Sequence, residues 1–357
     1  MSGLDNLMKK FKKQYGDTSV FKGDEKAILD IETISSGSLA LDAALLTGGL
    51  PKGRIVQVAG PESSGKTFLC MCAIVSAQKE GIQCVFVDGE HTFDAKWATG
   101  LGIDVTKLIV TRPDFIEDAL QQIMEFAKTG EVGMIVWDSV PALPTKQEAS
   151  KKMEDPIVGG HAKILTRALR LLTPIFDHSG CIGLFINQIR EKIGVMFGSP
   201  ETTPGGRALK HACSITLKVT RVGGSIIKDS LKRPIGHKIR VRVEKNKIST
   251  AQGITVEFLI RYVQGIDKVD EAVTVGIQTG AIKRVNKSTY SILGHEIRGK
   301  DNIAEYLDSD PTIFERLREK VIAAMKEGKV DDDSEDDESE EDIEETEEED
   351  FLSMDEE

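Results

Sequence analysis

No apolar run in this chain is long enough to cross a membrane, and no charged-then-apolar leader opens it. A soluble, cytoplasmic protein with no membrane partner is expected. Cysteine is scarce as well. Cys70, Cys72, Cys84, Cys181 and Cys213 sit in apolar stretches, and Cys70-Met71-Cys72 has one intervening residue, which suits neither a zinc site nor a redox pair. An odd number of thiols among aliphatic neighbours reads as reduced core cysteines. Basic residues are missing from residues 331–357, which hold 19 Asp and Glu; residues 1–330 therefore carry a net +7 although the whole chain carries −12. So charged a tail cannot collapse and is expected to be disordered. The mildly basic body admits a polyanionic partner, for whose surface the tail could compete; a solubilising role is the plainer alternative. There is no internal repeat. With 357 residues, 40% of them hydrophobic, the chain can bury a full core and carry more than one unit.

Leu4, Leu7, Met8 and Phe11 fall at helical spacing, with Lys9, Lys10, Lys12 and Lys13 on the other faces and Gly16 as a stop. Docking on a neighbouring subunit is the preferred use of this helix, ahead of an anionic surface or a cap on its own domain. Thr18–Ala27 reads as a linker. From Ile34 to about Ile266, strand-like and helix-like blocks alternate. The strands expected are Arg54–Ala59, Gln83–Asp88, Lys107–Val110, Gly133–Asp138 and Cys181–Asn187. Between them lie helices such as Phe115–Lys128 and Gly160–Thr173, the latter expected to end at Pro174. Short β-rich runs separated by helices imply a largely parallel, buried sheet. Ser214–Arg221, His237–Lys245 and Gly253–Ile260 read as later, antiparallel strands. Beyond Gly265 a smaller unit begins, with helices Val269–Gly276 and Pro311–Lys326 and a hairpin over Tyr290–Ile297.

Chemistry concentrates in Gly60-Pro61-Glu62-Ser63-Ser64-Gly65-Lys66-Thr67, which follows a strand and opens the helical run Phe68–Lys79. This is the G-x-x-x-x-G-K-[ST] pattern in its strand-then-helix setting. Glycines let backbone amides close around phosphate oxygens, and the helix start adds its positive dipole end. Lys66 supplies a charge for the β/γ-phosphates and the Thr67 hydroxyl suits Mg²⁺. A nucleoside triphosphate is the expected ligand. Asp138 ends the apolar strand Met134–Asp138 and is placed to polarise a metal ion or its water. Val87-Asp88-Gly89-Glu90-His91 ends another strand with two acids. Glu90 is the candidate base toward a water attacking the γ-phosphate, the alternative for either acid being a helix cap. Asp94 is better placed as a cap for Ala95–Leu101. Trp97, on that helix, reads from spacing as core, with stacking on adenine as the other use of its ring.

Glu32–Ser38, Gly60–Thr67, Asp88–His91, Phe185–Arg190, Gly194-Val195-Met196-Phe197-Gly198 and Glu244-Lys245-Asn246-Lys247 occur in this order. Together they resemble the RecA family of ATP-dependent DNA strand-exchange recombinases, in its bacterial branch, from about residue 30 to 330. The resemblance implies an α/β fold: a P-loop RecA-like ATPase core with a mostly parallel central sheet over 31–265, an N-terminal oligomerisation helix and linker over 1–30, a small α+β C-terminal domain over 266–330 and the acidic tail. It implies ATP and Mg²⁺ held by Lys66, Thr67 and Asp138, water activation by Glu90, and adenine held at Asp94 and Trp97. Gln188 matches the residue that senses the γ-phosphate and connects it to a DNA-binding loop. Lys245 and Lys247, which alone would read as a solvated strand edge, match lysines that reach a neighbour's ATP.

Single- and double-stranded DNA are the partners implied, with self-assembly into a helical filament; single-strand-binding and mediator proteins are further candidates. Two segments are expected to hold DNA. One covers Glu148–Gly160 and the helix bearing Lys163, Arg167 and Arg170, of which Lys163 and Arg170 share a face. The other, Ile189–Gly206, sets Arg190, Lys192, Gly205 and Gly206 around Ile193, Val195, Met196 and Phe197. Cations there would meet phosphates while apolar side chains wedge between base steps. Lys283 and Lys300 fall where the family's C-terminal domain gathers duplex DNA, within a cluster that also contains Arg284, Lys287 and Arg298. Pro204, His211, Glu191 and Gly160-His161 depart from the family pattern without touching the phosphate chemistry. A ring helicase, a non-hydrolysing mediator and a small-molecule kinase are the rival readings; the Asn187-Gln188-Ile189-Arg190 loop argues against the first, and intact Lys66, Glu90 and Asp138 against the second.

Overall fold

The computed structural model describes residues 3–16, 19–22, 31–152, 160–191, 201–202, 207–286 and 288–327. Most of the linker, much of both DNA segments and the acidic tail lie outside the described residues. Among the sequence-derived candidates, Lys192, Ile193, Met196, Phe197, Gly205, Gly206 and Lys287 do so too, as does Pro204.

A single large sheet organises the chain. Its strands are β1 (Ile55–Gly60), β2 (Gln83–Asp88), β3 (Leu108–Thr111), β4 (Val132–Asp138), β5 (Ile182–Gln188), β6 (Ile215–Arg221), β7 (Pro234–Asn246), β8 (Thr255–Arg261) and β9 (Gly265–Ile266). Across the sheet they run β9-β8-β7-β6-β1-β5-β4-β2-β3, with the short strand Ile227–Lys228 beside β7. The pairs from β6 through β1, β5, β4 and β2 to β3 are parallel. Those of β7 with β6 and β8, and of β8 with β9, are antiparallel. The mixed sheet expected from the sequence is present, with boundaries shifted by up to three residues.

The parallel strands read as unbroken apolar runs because helices cover both faces. Helices α1 (Gly3–Tyr15), α2 (Leu39–Ala44), α3 (Lys66–Lys79), α4 (Ala95–Gly100), α5 (Ile116–Lys128), α6 (Lys146–Ala149) and α7 (Gly160–Ser179) accompany the first five strands. One face packs Phe68, Leu69, Met71 and Ile74 of α3 on Val56, Val58, Met134 and Leu184. The other packs Ile116, Leu120 and Ile123 of α5 with Leu165, Leu172 and Phe176 of α7 on Trp137 and Phe185. All five cysteines are buried, and burial raises each of their pKa values, that of Cys72 to about 12.

Helix α7 does not stop before Pro174; it continues to Ser179. A stop at Pro174 would follow from the lost N–H and the ring's clash with the preceding turn alone. Burial beyond the proline outweighs both. Phe176 is fully buried and meets Phe185 edge-on at 6.2 Å between ring centroids, and Asp177 pairs with Arg54. Ending the helix at 173 would surrender these contacts.

After α8 (Arg207–Ala212) and the antiparallel strands come α9 (Lys268–Gln278), β10 (Ile282–Asn286), β11 (Thr289–Ile292), β12 (His295–Arg298), α10 (Lys300–Ser309) and α11 (Pro311–Lys326). The three strands form their own antiparallel sheet, and the expected hairpin is β11–β12. Ile282, Ile292, Ile303, Leu317 and Val321 are buried in one continuous cluster with the α3 face of the large sheet.

A polar clasp also joins the two parts. The Glu271 carboxylate of α9 accepts from the Ser38 hydroxyl, from Leu39 N–H at 3.0 Å and from Ala40 N–H at 3.1 Å, so it caps α2 from outside. Buried Asp42 accepts from Ser36 N–H at 2.8 Å and faces Arg318 of α11 at 3.5 Å. Burial raises the Glu271 pKa to about 7, against the hydrogen bonds from Ser38, Leu39 and Ala40, and raises that of Asp42 in the same direction. A raised carboxyl favours the fold most at low pH, and its contribution is lost as pH rises from the ordinary 4.5 through about 7. Urea unfolding should therefore show stability falling between about pH 4.5 and 7, with a shallower fall in Glu271→Ala. That variant, which orphans three buried donors, should lose about 3 kcal/mol or more at the low-pH end.

Candidate functional site at the edge of the parallel sheet

Each parallel strand delivers its last residue to one edge of the sheet. Register fixes which residues meet there: Gly60 lies opposite Gln188, and Asp88 opposite Asp138. The Gly60–Thr67 turn leaves β1 at this edge and enters α3. Two glycines are required by geometry. A Cβ on Gly60 would stand 2.1 Å from the Val219 carbonyl oxygen, and Gly65 has φ +96°, with Ile239 3.1 Å from where its Cβ would be. Ser63 also holds φ +56°. Successive turn amides in such conformations form an anion-binding concavity.

Within the turn, Lys66 Nζ donates to the Pro61 carbonyl at 2.6 Å, and Thr67 Oγ1 donates to Asp138 Oδ2 at 2.6 Å. Burial lowers the Lys66 pKa, opposed by Asp138, Glu90 and Glu62. Burial likewise raises the Asp138 pKa to about 6; the Thr67 hydrogen bond opposes it and Glu90 adds to it. A cation placed between Thr67 and Asp138 would relieve this. Ser64 Oγ is buried with no partner among the described residues. An orphaned hydroxyl, a cradle with no room for a Cβ and a hydroxyl–carboxylate pair fit a phosphate chain with a hard divalent cation.

The two acids at the end of β2 separate in role. Asp88 is buried, accepts from Thr92 N–H at 3.0 Å and Phe93 N–H at 3.1 Å, and pairs with Arg112 at 3.1 Å, so it holds the turn. Glu90 is exposed; its Oε1 accepts from the Ser139 hydroxyl and from Gln188 Nε2 at 3.5 Å. Immediately beyond, Ile189 N–H donates to the Gly60 carbonyl at 3.1 Å. The 189–206 segment is thus tied by its first amide to the phosphate turn, a link invisible in the sequence.

Asp94 does cap α4, its Oδ1 accepting from Lys96 N–H at 2.7 Å and Trp97 N–H at 3.2 Å. Trp97 is half-buried, packed against the core cluster on one side. It lines a cavity of about 300 Å³ with Ser63–Phe68, His237, Ile260 and Tyr262. Its Nε1–H donates to the Tyr262 carbonyl at 2.7 Å. His237 and Tyr262 carry no sequence signal of a site. Topology alone places them: β7 begins, and β8 ends, at the edge where β1 ends, so residues at those termini must flank the phosphate turn.

Lys245 and Lys247 lie at the opposite end of β7, with Lys245 beside Thr216 near the start of β6. Lys245 Nζ donates to the Cys213 carbonyl at 2.7 Å and Lys247 Nζ to the His211 carbonyl at 2.9 Å, at the C-terminal end of α8. Neither belongs to this chain's own cavity. Lys163, Arg167 and Arg170 are exposed along α7, whose buried face is Leu165, Ala168, Leu169 and Leu172. Arg190 opens the short pairing of Arg190–Glu191 with Glu201–Thr202. On the C-terminal sheet Lys283, Arg284 and Arg298 are exposed, and Lys300 begins α10.

The nucleotide turn at the carboxyl edge of a mostly parallel sheet, flanked by Asp138, Glu90 and Gln188, defines a P-loop protein of the RecA-like α/β class. The family model for the RecA N-terminal domain matches residues 2–267. Relatives named Protein RecA are 42% identical in Rhodospirillum centenum, over 90% of this chain and 88% of that protein, and 41% identical in Cytophaga hutchinsonii, over 90% of each. That of Ruegeria pomeroyi is 42% identical over 90% of this chain and 92% of its own. The chain belongs to the RecA family, in its bacterial form. Membership makes it a recombination and DNA-repair protein that binds ATP and DNA.

Because the Gly60 Cβ clash is with backbone, Gly60→Ala should cost about 1–3 kcal/mol or more in thermal unfolding and remove nucleotide binding by calorimetry. A variant that melts like the wild type would contradict the close approach.

Proposed function

We propose that this chain is a DNA-dependent ATPase that assembles as a filament on single-stranded DNA, pairs it with homologous duplex and exchanges strands. The observation that carries the reading is the junction at the end of β5, where the first amide of the DNA segment is bonded to the phosphate turn. Gln188 reaches Glu90 at 3.5 Å while the next amide is bonded to Gly60. Whatever displaces Glu90 or the turn on ATP binding is felt by Ile189 and the residues after it.

In this reading Lys66 and the turn amides bind the phosphates, and Thr67 with Asp138 hold Mg²⁺, which supplies charge neutralisation at the γ-phosphate. Glu90, exposed at the sheet edge, orients and deprotonates the attacking water. Gln188 responds to the γ-phosphate and biases the 189–206 segment toward its DNA-competent form; ATP drives the change only by its preference for that form. Arg190, with Lys163 and Arg170 on α7, meets the phosphates of the bound strand, so recognition is independent of sequence. Lys283 and Lys300 gather duplex. Helix α1 supports self-assembly: it has no buried residue, and Leu4, Leu7, Phe11 and Tyr15 stand exposed on it. Lys245 and Lys247, at the far edge, would reach a neighbouring copy's nucleotide.

Formation of joint molecules between homologous single and double strands, dependent on ATP, tests the whole reading; a closed ring on single strands by electron microscopy would favour the helicase instead. Glu90→Gln should lower DNA-stimulated turnover about 10²–10⁴-fold while ATP and DNA still bind. Gln188→Ala should retain ATP binding yet lose the gain in single-strand affinity that ATP confers, read by fluorescence anisotropy with and without nucleotide. Unchanged turnover, or an unchanged gain, would remove the corresponding role.

A further inference from the structure

A residue in the wall of the cavity beside the phosphate turn, His237, has a buried ring nitrogen that nothing among the described residues satisfies. His237 is 5% exposed, and its ring forms part of the wall with Ser63–Phe68, Trp97 and Tyr262. Its Nδ1 lies 3.0 Å from the Tyr262 hydroxyl, and the two rings meet at 61° with centroids 5.5 Å apart. Nε2 is buried with no partner among the described residues. Tyr262 is itself fixed, its carbonyl accepting from Trp97 Nε1–H. The three rings therefore form a braced chain in which the last polar atom is left over. A buried, unpaired group of this kind costs about 1–3 kcal/mol, so a ligand that completes it is favoured.

The order of residues along the wall says which part of a nucleotide lies there. Gly65, in the phosphate turn, abuts Ile239 and Ile260. His237 is two residues from Ile239 on the same strand face and pairs in register with Ile260, and Tyr262 follows two residues later. Trp97, the flat ring suited to a base, is bonded beyond that. His237 thus stands between the phosphate cradle and the base platform.

Resting on the nucleotide site above, we propose that His237 is a specificity-determining residue that hydrogen-bonds a sugar hydroxyl of the bound nucleoside triphosphate. Chemistry favours this partner. If the Tyr262 hydroxyl donates to Nδ1, Nε2 carries the proton and must donate; if Nδ1 donates, Nε2 must accept. A hydroxyl does both, so it satisfies either tautomer, whereas a phosphate oxygen only accepts. Burial, with the Arg221 charge, lowers the His237 pKa below its usual value, which keeps the ring neutral near pH 7.

Calorimetric affinities of the full chain for ATP, 2′-deoxy-ATP and 3′-deoxy-ATP with Mg²⁺ test this. The analogue lacking the contacted hydroxyl should bind the wild type about 5- to 10-fold more weakly than ATP, the worth of one hydrogen bond. In His237→Phe that ratio should fall to about one, ATP itself having lost the difference. His237→Asn, smaller and still polar, guards against a packing defect; it too is read as the ratio within one variant, so a general loss of affinity cancels. A ratio near one in the wild type, or one that survives both substitutions, overturns the role of His237. Failure of the wild type to bind any of the three nucleotides would instead overturn the nucleotide site itself.

Discussion

Register between neighbouring parallel strands is the constraint on which the site depends. β1, β5, β4 and β2 lie side by side, so the residues that end them, Gly60, Gln188, Asp138 and Asp88, arrive at one edge although up to 128 positions separate them in the chain. A slip of one residue in any pair would turn the terminal side chain to the other face of the sheet. The slip is prevented by burial on both faces: Val56, Val58, Val136, Leu184 and Ile186 face α3, while Ile55, Ile135, Trp137 and Phe185 face α5 and α7. Aliphatic packing far from the chemistry therefore sets atomic positions within it.

That rigidity allows the edge to hold groups no isolated segment would tolerate. Lys66 is buried with its pKa lowered, Asp138 has a carboxyl raised to about 6, Ser64 Oγ and His237 Nε2 lack partners, and Ser63 and His91 sit at positive φ. Each costs folding energy, and all of these residues flank the phosphate turn or the strand ends beside it. Other unpartnered buried groups occur elsewhere among the described residues, but Ser64 and His237 both line the cavity beside the phosphate turn, where a ligand can complete them. The clasp between Glu271 and the start of α2 is the converse: equally buried, but fully bonded, and so structural.

Much of this was legible in the sequence because two signals were local. Unbroken apolar runs gave the parallel strands, and the Gly60–Thr67 spacing gave the turn with its lysine and hydroxyl. What stayed hidden was tertiary. Pro174 breaks an isolated helix but not one anchored beyond it by Phe176 and Asp177. Strand β10 and helix α10 have too few periodic apolar residues to announce themselves, being only partly buried. His237 and Tyr262 carry no motif; only the direction of β7 and β8 brings them to the turn. Glu90 was already the candidate base in the sequence; what only the structure adds is that Asp88, the last residue of β2, is spent on the turn through Thr92, Phe93 and Arg112.

The positions of α1 and of Lys245 and Lys247 bear on how copies would associate. An apolar helix face with nothing buried under it and a lysine pair on the edge away from the phosphate turn are different surfaces of one chain. If each engages a distinct surface of the next copy, the contact is head-to-tail rather than self-complementary. Repeating such a contact closes a ring only when the rotation per subunit divides a full turn with no rise, and otherwise generates an open helix. On the proposed reading, the lysines of one copy would add positive charge to the triphosphate held by its neighbour, where Thr67, Asp138 and Glu90 already place hydroxyl and carboxylate. ATP would then tighten the contact between copies as well as the DNA segment, because the same phosphates bias both. Polymer and DNA affinity would rise together, with no need for a separate signal between them.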